Sequence, residues 1–316
     1  MRVLFLGTPD FAVATLEAIH HSDNHDVVGV VTVPDRPAGR GRKLQSSAVA
    51  QKADEFGIPT LKPEKLRDED FLRAVKELNP DIAVVVAFRM MPEVLWSLPP
   101  RGTFNIHASL LPDYRGAAPI NWAIIQGETK TGVTSFMLDH QIDTGKILLQ
   151  DETPIGLDET AGDVHDRLMN MGANLALKTL DEIEKDQLCP VAQESLVQDR
   201  NLHHAPKIFK SDTVIDPKQS SKSIHDFVRG LSPYPGAILQ CTIEQNDVDV
   251  KIVRTRRTEK EVKNGHVFIE DGCLYIPSTN KLLEVLELQF PGKRAMDIRS
   301  FLAGWKGTTS WNLRNA

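Results

Sequence analysis

The run DIAVVVA, Asp81 to Ala87, is apolar on both faces of any extended strand it forms. A central strand of a parallel sheet, covered by helices on both sides, is the setting that buries both faces, so this segment already narrows the architecture. The surrounding chain agrees. RVLFLG reads as a buried strand, with Thr8 placed to cap the helix that follows and Pro9 at its first position, where a missing N–H costs nothing. DVVGVVTV, Asp26 to Val33, is a second strand. Ser46 or Ser47 caps a helix that Gly57 ends, and Asp68 caps another that stops at Asn79-Pro80. GTFNIHA supplies a further strand. This βαβα rhythm predicts an α/β fold built on an open, doubly wound, mostly parallel sheet, with its site at the carboxyl ends of the strands.

Beyond it, TGVTSFML and KILLQDETPI read as two strands joined by the loop DHQIDT. Val164, Leu168, Met171, Leu175 and Leu180 then recur at helical spacing between Thr160 and Asp186. That helix is expected to close a first domain, residues 1–189. A polar stretch of weak periodicity, 190–205, reads as a linker. Residues 206–316 hold a short helix, SSKSIHDFVRGL, and then AILQCTI, DVKIVRT, HVFIED, CLYIPST and LLEVLELQF, short strands spaced as in a small β-barrel.

At 316 residues the chain is too long for one small core. Cys189, Cys241 and Cys273 are scattered and odd in number, which fits a reducing compartment and argues against disulfides or structural zinc. Thr8, Pro9 and Asp10 break the initial apolar run before a signal-peptide core is complete, and IAVVVAF is far short of a membrane span. A cytoplasmic protein is expected. Net charge is -6 overall, yet from Ala205 onward 17 Lys+Arg face 13 Asp+Glu, net +4. That contrast suits a polyanion partner, and equally an ordinary fluctuation.

A doubly wound sheet invites a dinucleotide. Here, however, the first turn is GTPDFA, with one glycine in place of three and with Asp10 set against any phosphate at the helix start. The segment PDRPAGRGRKL, Pro34 to Leu44, carries Arg36, Arg40, Arg42 and Lys43 on a loop longer than the roughly 2 to 6 residues usual after a strand. A long basic loop fits a larger polyanion, or a solvated mobile loop.

The chemistry concentrates in FNIHASLLPDYRG, Phe104 to Gly116. In a strand Asn105 and His107 share one face, and DHQIDTG offers Asp143 from a neighbouring loop. An amide donates without changing charge, an imidazole exchanges a proton near neutral pH, and a carboxylate orients it or favours its charged form. No Ser or Cys stands in a nucleophile context. The trio therefore points to direct attack of a substrate amine on a carbonyl carbon, with Asn105 and His107 stabilising the oxyanion.

These residues, with GTPDFA, PDRPAGRGRKL, NIHASLLPDYRGAAPI and IDTG, and with APKIFK, PYPG and PGKRAM in the tail, resemble the folate-dependent formyltransferases over nearly the full length. The basic loop and tail resemble the methionyl-tRNA formyltransferase branch. The resemblance implies a Rossmann-like catalytic domain followed by an OB-like β-barrel that binds tRNA. It also implies formyl transfer from 10-formyltetrahydrofolate to methionine on initiator Met-tRNA, by a monomer that uses no metal. On this sequence the family's catalytic trio falls on Asn105, His107 and Asp143. Its folate pocket falls on Phe88, Arg89 and Met90 and on the turn Ser109, Leu110, Leu111, Pro112. Its tRNA contacts fall on Arg36, Arg40, Arg42, Lys43, Lys207 and Lys210. Two departures stand out. Ala87, Phe88 and Arg89 replace a usual Ala-Tyr-Gly, which would add a charge at the folate pocket, and Gln141 replaces a usual glycine, which would force a different turn if that position needs a positive φ. A formyltransferase acting on a small amine, such as a nucleotide-linked amino sugar, would share the trio but not need the basic loop or the tail. A non-catalytic RNA-binding protein would not need the trio.

Overall fold

The computed structural model describes residues 1–38, 43–197, 201–262 and 265–314. The chain divides into two compact units, Met1–Gly116 with Thr131–Thr153 and His165–His204, and Ala117–Lys130 with Pro154–Val164 and Ala205–Ala316.

The first unit contains β1 (Arg2–Gly7), α1 (Asp10–His20), β2 (Asp26–Val31), β3 (Arg36–Ala38), β4 (Lys43–Gln45), α2 (Ala48–Glu55), β5 (Thr60–Leu61) and α3 (Glu69–Glu77). It continues with β6 (Ile82–Val86), α4 (Glu93–Trp96), β7 (Thr103–His107), β8 (Arg115–Gly116), β9 (Lys130–Met137) and β10 (Ile147–Pro154). The main sheet runs β10-β9-β7-β6-β1-β2-β5. From β7 to β5 all neighbours are parallel, and β9 lies antiparallel to β7. Every residue of β6 is buried, as its two apolar faces require. Strand order reverses at β1, which lies between β6 and β2, so the crevice at a topological switch point opens at the carboxyl ends of β1 and β6.

Local signals set the helix ends. The Ser47 side chain accepts the Ala50 N–H at 3.1 Å, and Asp68 Oδ1 accepts those of Asp70 and Phe71 at 3.1 Å each. Gly57 (φ 67°) and Asn79 (φ 47°) turn the chain out of α2 and α3. The expectation for Thr8 is corrected. Pro9 takes the cap position in extended geometry and the helix begins at Asp10, so the Thr8 hydroxyl does not cap it and lies buried with no hydrogen-bond partner among the described residues.

The basic segment, expected as a loop, folds at its base into an antiparallel hairpin in which Arg36 pairs with Gln45 and Ala38 with Lys43. Lys62 holds the two sides together, its Nζ 2.8 Å from Asp35 Oδ1 and 3.3 Å from Ser46 Oγ. That Lys62 hydrogen bond, with help from Ser46, keeps the Asp35 carboxyl below the usual carboxylate range.

The second unit holds α5 (Pro119–Ile125) and α7 (Ser221–Leu231), with α6 (Ala161–Glu184) running from it into the first. After β11 (His204–Ala205) come β12 (Ala237–Ile243), β13 (Asn246–Arg257), β14 (Val267–Glu270), β15 (Cys273–Ile276), β16 (Leu283–Gln289), β17 (Met296–Asp297), α8 (Ile298–Ala303) and β18 (Ser310–Leu313). The order β13-β12-β18-β14-β15-β16, closed by pairing of β13 with β16, makes a six-stranded antiparallel barrel that leaves no free edge in the ring. Strand β12 alternates buried and half-buried positions, the period expected of a barrel wall. Inside lie Leu239, Val250, Ile252, Leu274, Val285 and the fully buried Trp311. All three cysteines are free, and burial pushes the Cys241 thiol up to about 12, which makes it an unreactive core group. Among the described residues no helix is long and apolar enough to cross a membrane.

Candidate active site

Strand β7 carries Asn105 and His107 at alternate positions, and its register sets Asn105 opposite Phe136 and His107 opposite Thr134 of β9. The His107 ring meets the edge of Phe136 at 6.4 Å, a diagonal contact on one face of the sheet. Its Nε2 lies 2.9 Å from the Tyr114 carbonyl oxygen. A carbonyl only accepts, so Nε2 carries the proton, and Nδ1 is the atom left for chemistry. Asp143 Oδ2 lies 3.9 Å from that Nδ1, too far for a hydrogen bond and near enough to face it. The structure thus brings Asn105, His107 and Asp143 together. Asn105 Oδ1 is buried and has no hydrogen-bond partner among the described residues. A buried amide oxygen left unpaired costs about 1–3 kcal/mol, a cost that a donor arriving with a substrate removes.

Asp143 owes its place to a turn built by its neighbours. Asp139 Oδ1 accepts the Gln141 N–H at 3.0 Å and the Thr144 hydroxyl at 2.7 Å, an Asx turn that closes the loop. The left-handed backbone falls on Asp143 itself (φ 56°), whereas Gln141 is not among the positive-φ residues, so the glycine expected there is not needed. Glycine is needed at 145, where a Cβ would run into the Met137 carbonyl oxygen. The Asp143 carboxylate is held by the Gly116 N–H, which donates to Oδ2 at 3.0 Å.

The expected folate residues leave the carboxyl ends of the adjacent strands β6 and β7. Ala87 (φ 47°) swings the chain off the sheet, Phe88 and Met91 pack against the neighbouring core, and Met90 is 74% exposed. Among the described residues no backbone N–H of Phe88, Arg89 or Met90 makes an intramolecular hydrogen bond, which leaves donors there for a ligand. Arg89 is tied down instead of standing free: its guanidinium donates to the carbonyls of Pro63 and Glu64. The turn after β7 is braced by Thr134, whose hydroxyl donates to Ser109 O at 2.7 Å and accepts the Leu111 N–H at 3.2 Å. Ser109, Leu111 and Pro112 are buried in this turn, with Leu110 half-buried. The Ser109 hydroxyl is spent on the Asp113 carbonyl at 2.7 Å.

Of the expected polyanion contacts, Arg36 is exposed on β3. Arg40 and Arg42, and the Lys43 side chain, lie outside the described residues. Lys207 and Lys210 are exposed in the second unit, Lys207 over the Phe209 ring at 5.5 Å. Among the described residues one group has metal-ligand spacing, His25 with Asp181 and Glu184. It sits at the amino-terminal end of β2, the opposite edge of the sheet from the trio, and His25 Nε2 already bonds Asp181 at 2.9 Å.

Three groups of this site carried no signal in the sequence. The Tyr114 carbonyl and the Gly116 N–H are backbone, invisible to residue type. Gln193 lay in the stretch read as a linker, yet it is fully buried, and its Nε2 donates to the carbonyls of Asp143 at 3.0 Å and Gly145 at 2.8 Å.

Comparison with known proteins bears on this geometry. The formyl transferase family matches residues 1–180, and the formyl transferase C-terminal domain matches residues 207–306. The methionyl-tRNA formyltransferase of Parabacteroides distasonis is 48% identical over 313 residues, covering 97% of this chain and 96% of that protein. That of Bacteroides thetaiotaomicron is 46% identical over 311 residues, covering 97% and 96%. Among solved structures, the N-formyltransferase of Helicobacter canadensis in complex with folinic acid and dTDP-3-aminofucose has the same fold, with a TM-score of 0.65 at 21% identity over 90% of this chain and 98% of that one. Near-identical length, both family domains and close to half of all residues in common lead to one conclusion: the chain belongs to the methionyl-tRNA formyltransferase family of formyl transferases.

Proposed function

We propose that this chain transfers the formyl group of 10-formyltetrahydrofolate to the amino group of methionine esterified to initiator tRNA, in the cytoplasm. The folate co-substrate supplies the one-carbon unit at its reactive oxidation level. The observation that carries the reading is an Asn105 Oδ1 with no partner among the described residues, beside a His107 whose Nδ1 makes no hydrogen bond among them and faces Asp143. An amide has both an acceptor and donors, so Asn105 can take an N–H of the attacking amine and give an N–H to the formyl oxygen as charge gathers there. At neutral pH an aminoacyl-ester amine is substantially unprotonated and needs positioning more than activation. The amine loses one proton as its nitrogen bonds to the formyl carbon, and the departing folate nitrogen gains one. Nδ1 of His107 is the group placed to carry it, with Asp143 steadying the charged ring. The free N–H groups of Phe88, Arg89 and Met90 fit a flat heterocycle held by backbone, with the braced turn Ser109, Leu110, Leu111, Pro112 beside it. Because Arg89 is committed to carbonyls, its charge is not turned on the ligand.

Arg36, Arg40, Arg42 and Lys43, and Lys207 and Lys210 in the second unit, are proposed to neutralise tRNA phosphates. The experiment is formyl transfer with the purified protein, 10-formyltetrahydrofolate and methionine-charged initiator and elongator tRNAs side by side. Formyl-methionine on the initiator, at a rate at least about tenfold above the elongator, is the expected result; that ratio corresponds to about 1.4 kcal/mol of discrimination. Formylation of a nucleotide-linked amino sugar with none of either tRNA would overturn the reading in favour of a small-amine enzyme.

A further inference from the structure

The structure assigns Gln193 and Arg115 a joint role as positioning residues that hold the Asp143 turn in its working geometry, an inference that rests on the role proposed above for Asp143. Gln193 opens a short 3-10 turn, Gln193–Leu196, and is brought against the sheet by the antiparallel bridge between Val191 and Ile147 at the start of β10. Its side chain is 0% exposed, and all four of its hydrogen-bonding capacities are used. Nε2 donates to the carbonyls on either side of Thr144, those of Asp143 at 3.0 Å and Gly145 at 2.8 Å. Oε1 accepts from Arg115 Nε at 3.0 Å and Nη2 at 2.7 Å. A guanidinium only donates and a carbonyl only accepts, so the orientation of the amide between them is forced.

The turn needs such a support. Asp143 stands in the left-handed region, which disfavours a residue with a Cβ, and such a conformation persists where its surroundings over-determine it. The supports converge on three consecutive residues. The Tyr114 carbonyl fixes His107 Nε2, the Arg115 side chain fixes Gln193, and the Gly116 N–H fixes the Asp143 carboxylate. The two routes from this tripeptide to Asp143, one through Gln193 to its backbone and one from Gly116 to its side chain, close a ring. Gln193 bonds the Asp143 backbone and, among the described residues, no side chain of the trio, so it acts through where Asp143 stands.

The test is a cycle on kcat with initiator Met-tRNA, using Gln193→Met, which keeps the buried volume, with and without Asp143→Ala. Displacement of a catalytic group by about an ångström costs up to roughly a hundredfold in rate, so Gln193→Met is expected to lower kcat about 10- to 100-fold with both KM values within about threefold. On the Asp143→Ala background the same change should cost less than about twofold, because the group it positions is already gone. Arg115→Lys, which loses the paired bonds to Oε1 while leaving Gln193 in place, should show the same signature and serves if Gln193→Met does not fold. A kcat equal to wild type in a folded variant, or a loss repeated in full on the Asp143→Ala background, overturns the inference. If Asp143→Ala itself leaves kcat unchanged, the catalytic reading of the trio fails and this inference with it. Impairment by Asp143→Ala but not by the other two variants sinks this inference alone.

Discussion

Asn105→Ala is expected to lower kcat by roughly 10²–10³ while leaving the folate dissociation constant within about threefold. The asymmetry follows from what the side chain does in the resting site. Among the described residues its Oδ1 is buried without a partner, so the ground state gains nothing from that oxygen. A group that is unsatisfied until the amine and the formyl oxygen meet beside it lowers the barrier more than it strengthens binding. His107 differs in that it is already half engaged, through Nε2 and the Tyr114 carbonyl, so His107→Ala also releases the turn after β7. Asn105 is therefore the cleaner probe. Equilibrium titration of folate by fluorescence and single-turnover transfer under saturating donor separate the two quantities. Weakened binding at an unchanged kcat would make Asn105 a ligand for the donor and remove it from the chemistry.

The second large effect concerns the fold. In the second unit Asp226 and Arg229 on α7 are 4% and 6% exposed, and Arg229 Nε donates to Asp226 Oδ1 at 2.7 Å. Lys222 donates to the other carboxylate oxygen at 2.6 Å, and Arg229 Nη1 reaches the carbonyls of Gly156 at 3.3 Å and Glu159 at 3.1 Å. Removing the carboxylate leaves the guanidinium buried among carbonyls without its ion-pair partner. Asp226→Ala should then cost about 3–5 kcal/mol of stability, whereas replacing both partners together, Asp226→Leu with Arg229→Met, should cost far less. Denaturant unfolding followed by tryptophan fluorescence, to which the buried barrel residue Trp311 contributes, measures both. A loss below about 1 kcal/mol for Asp226→Ala would show that the pair is not desolvated.

The parts of the fold that were legible in the sequence are those in which residue type and position carry the same physics. β6 needs helices on both faces, and Ser47 and Asp68 bond the N–H groups their positions predict. The alternation of β12 reads directly as a barrel wall. Thr8 misled because a hydroxyl next to a proline suits a cap, yet the extended Pro9 took that position and the helix began after it. The basic segment hid a hairpin because its pairing depends on Lys62, distant in sequence, gripping Asp35 and Ser46.

At the site, the period of two in a strand made the Asn105 and His107 pair legible. The turn at Asp143 was legible only in part. The resemblance raised a positive φ at Gln141 as a condition, whereas the left-handed backbone falls on Asp143 and the steric demand on Gly145. The support from Gln193 was invisible because it serves backbone carbonyls about fifty residues away, and no periodicity marks a side chain that does so. Nothing in the residue order links Arg115 to a partner. Its partner is the buried amide of Gln193.

The most direct test of the central claim, transfer of the formyl group in one step to an amine held beside Asn105 and His107, is a rapid-quench experiment with donor carrying a labelled formyl carbon and methionine-charged initiator tRNA. The account predicts that in the first turnover the label passes from folate to the methionine nitrogen, with none covalently attached to the protein at any time. Label trapped on a side chain, or remaining in folate while the charged tRNA is bound, would contradict it.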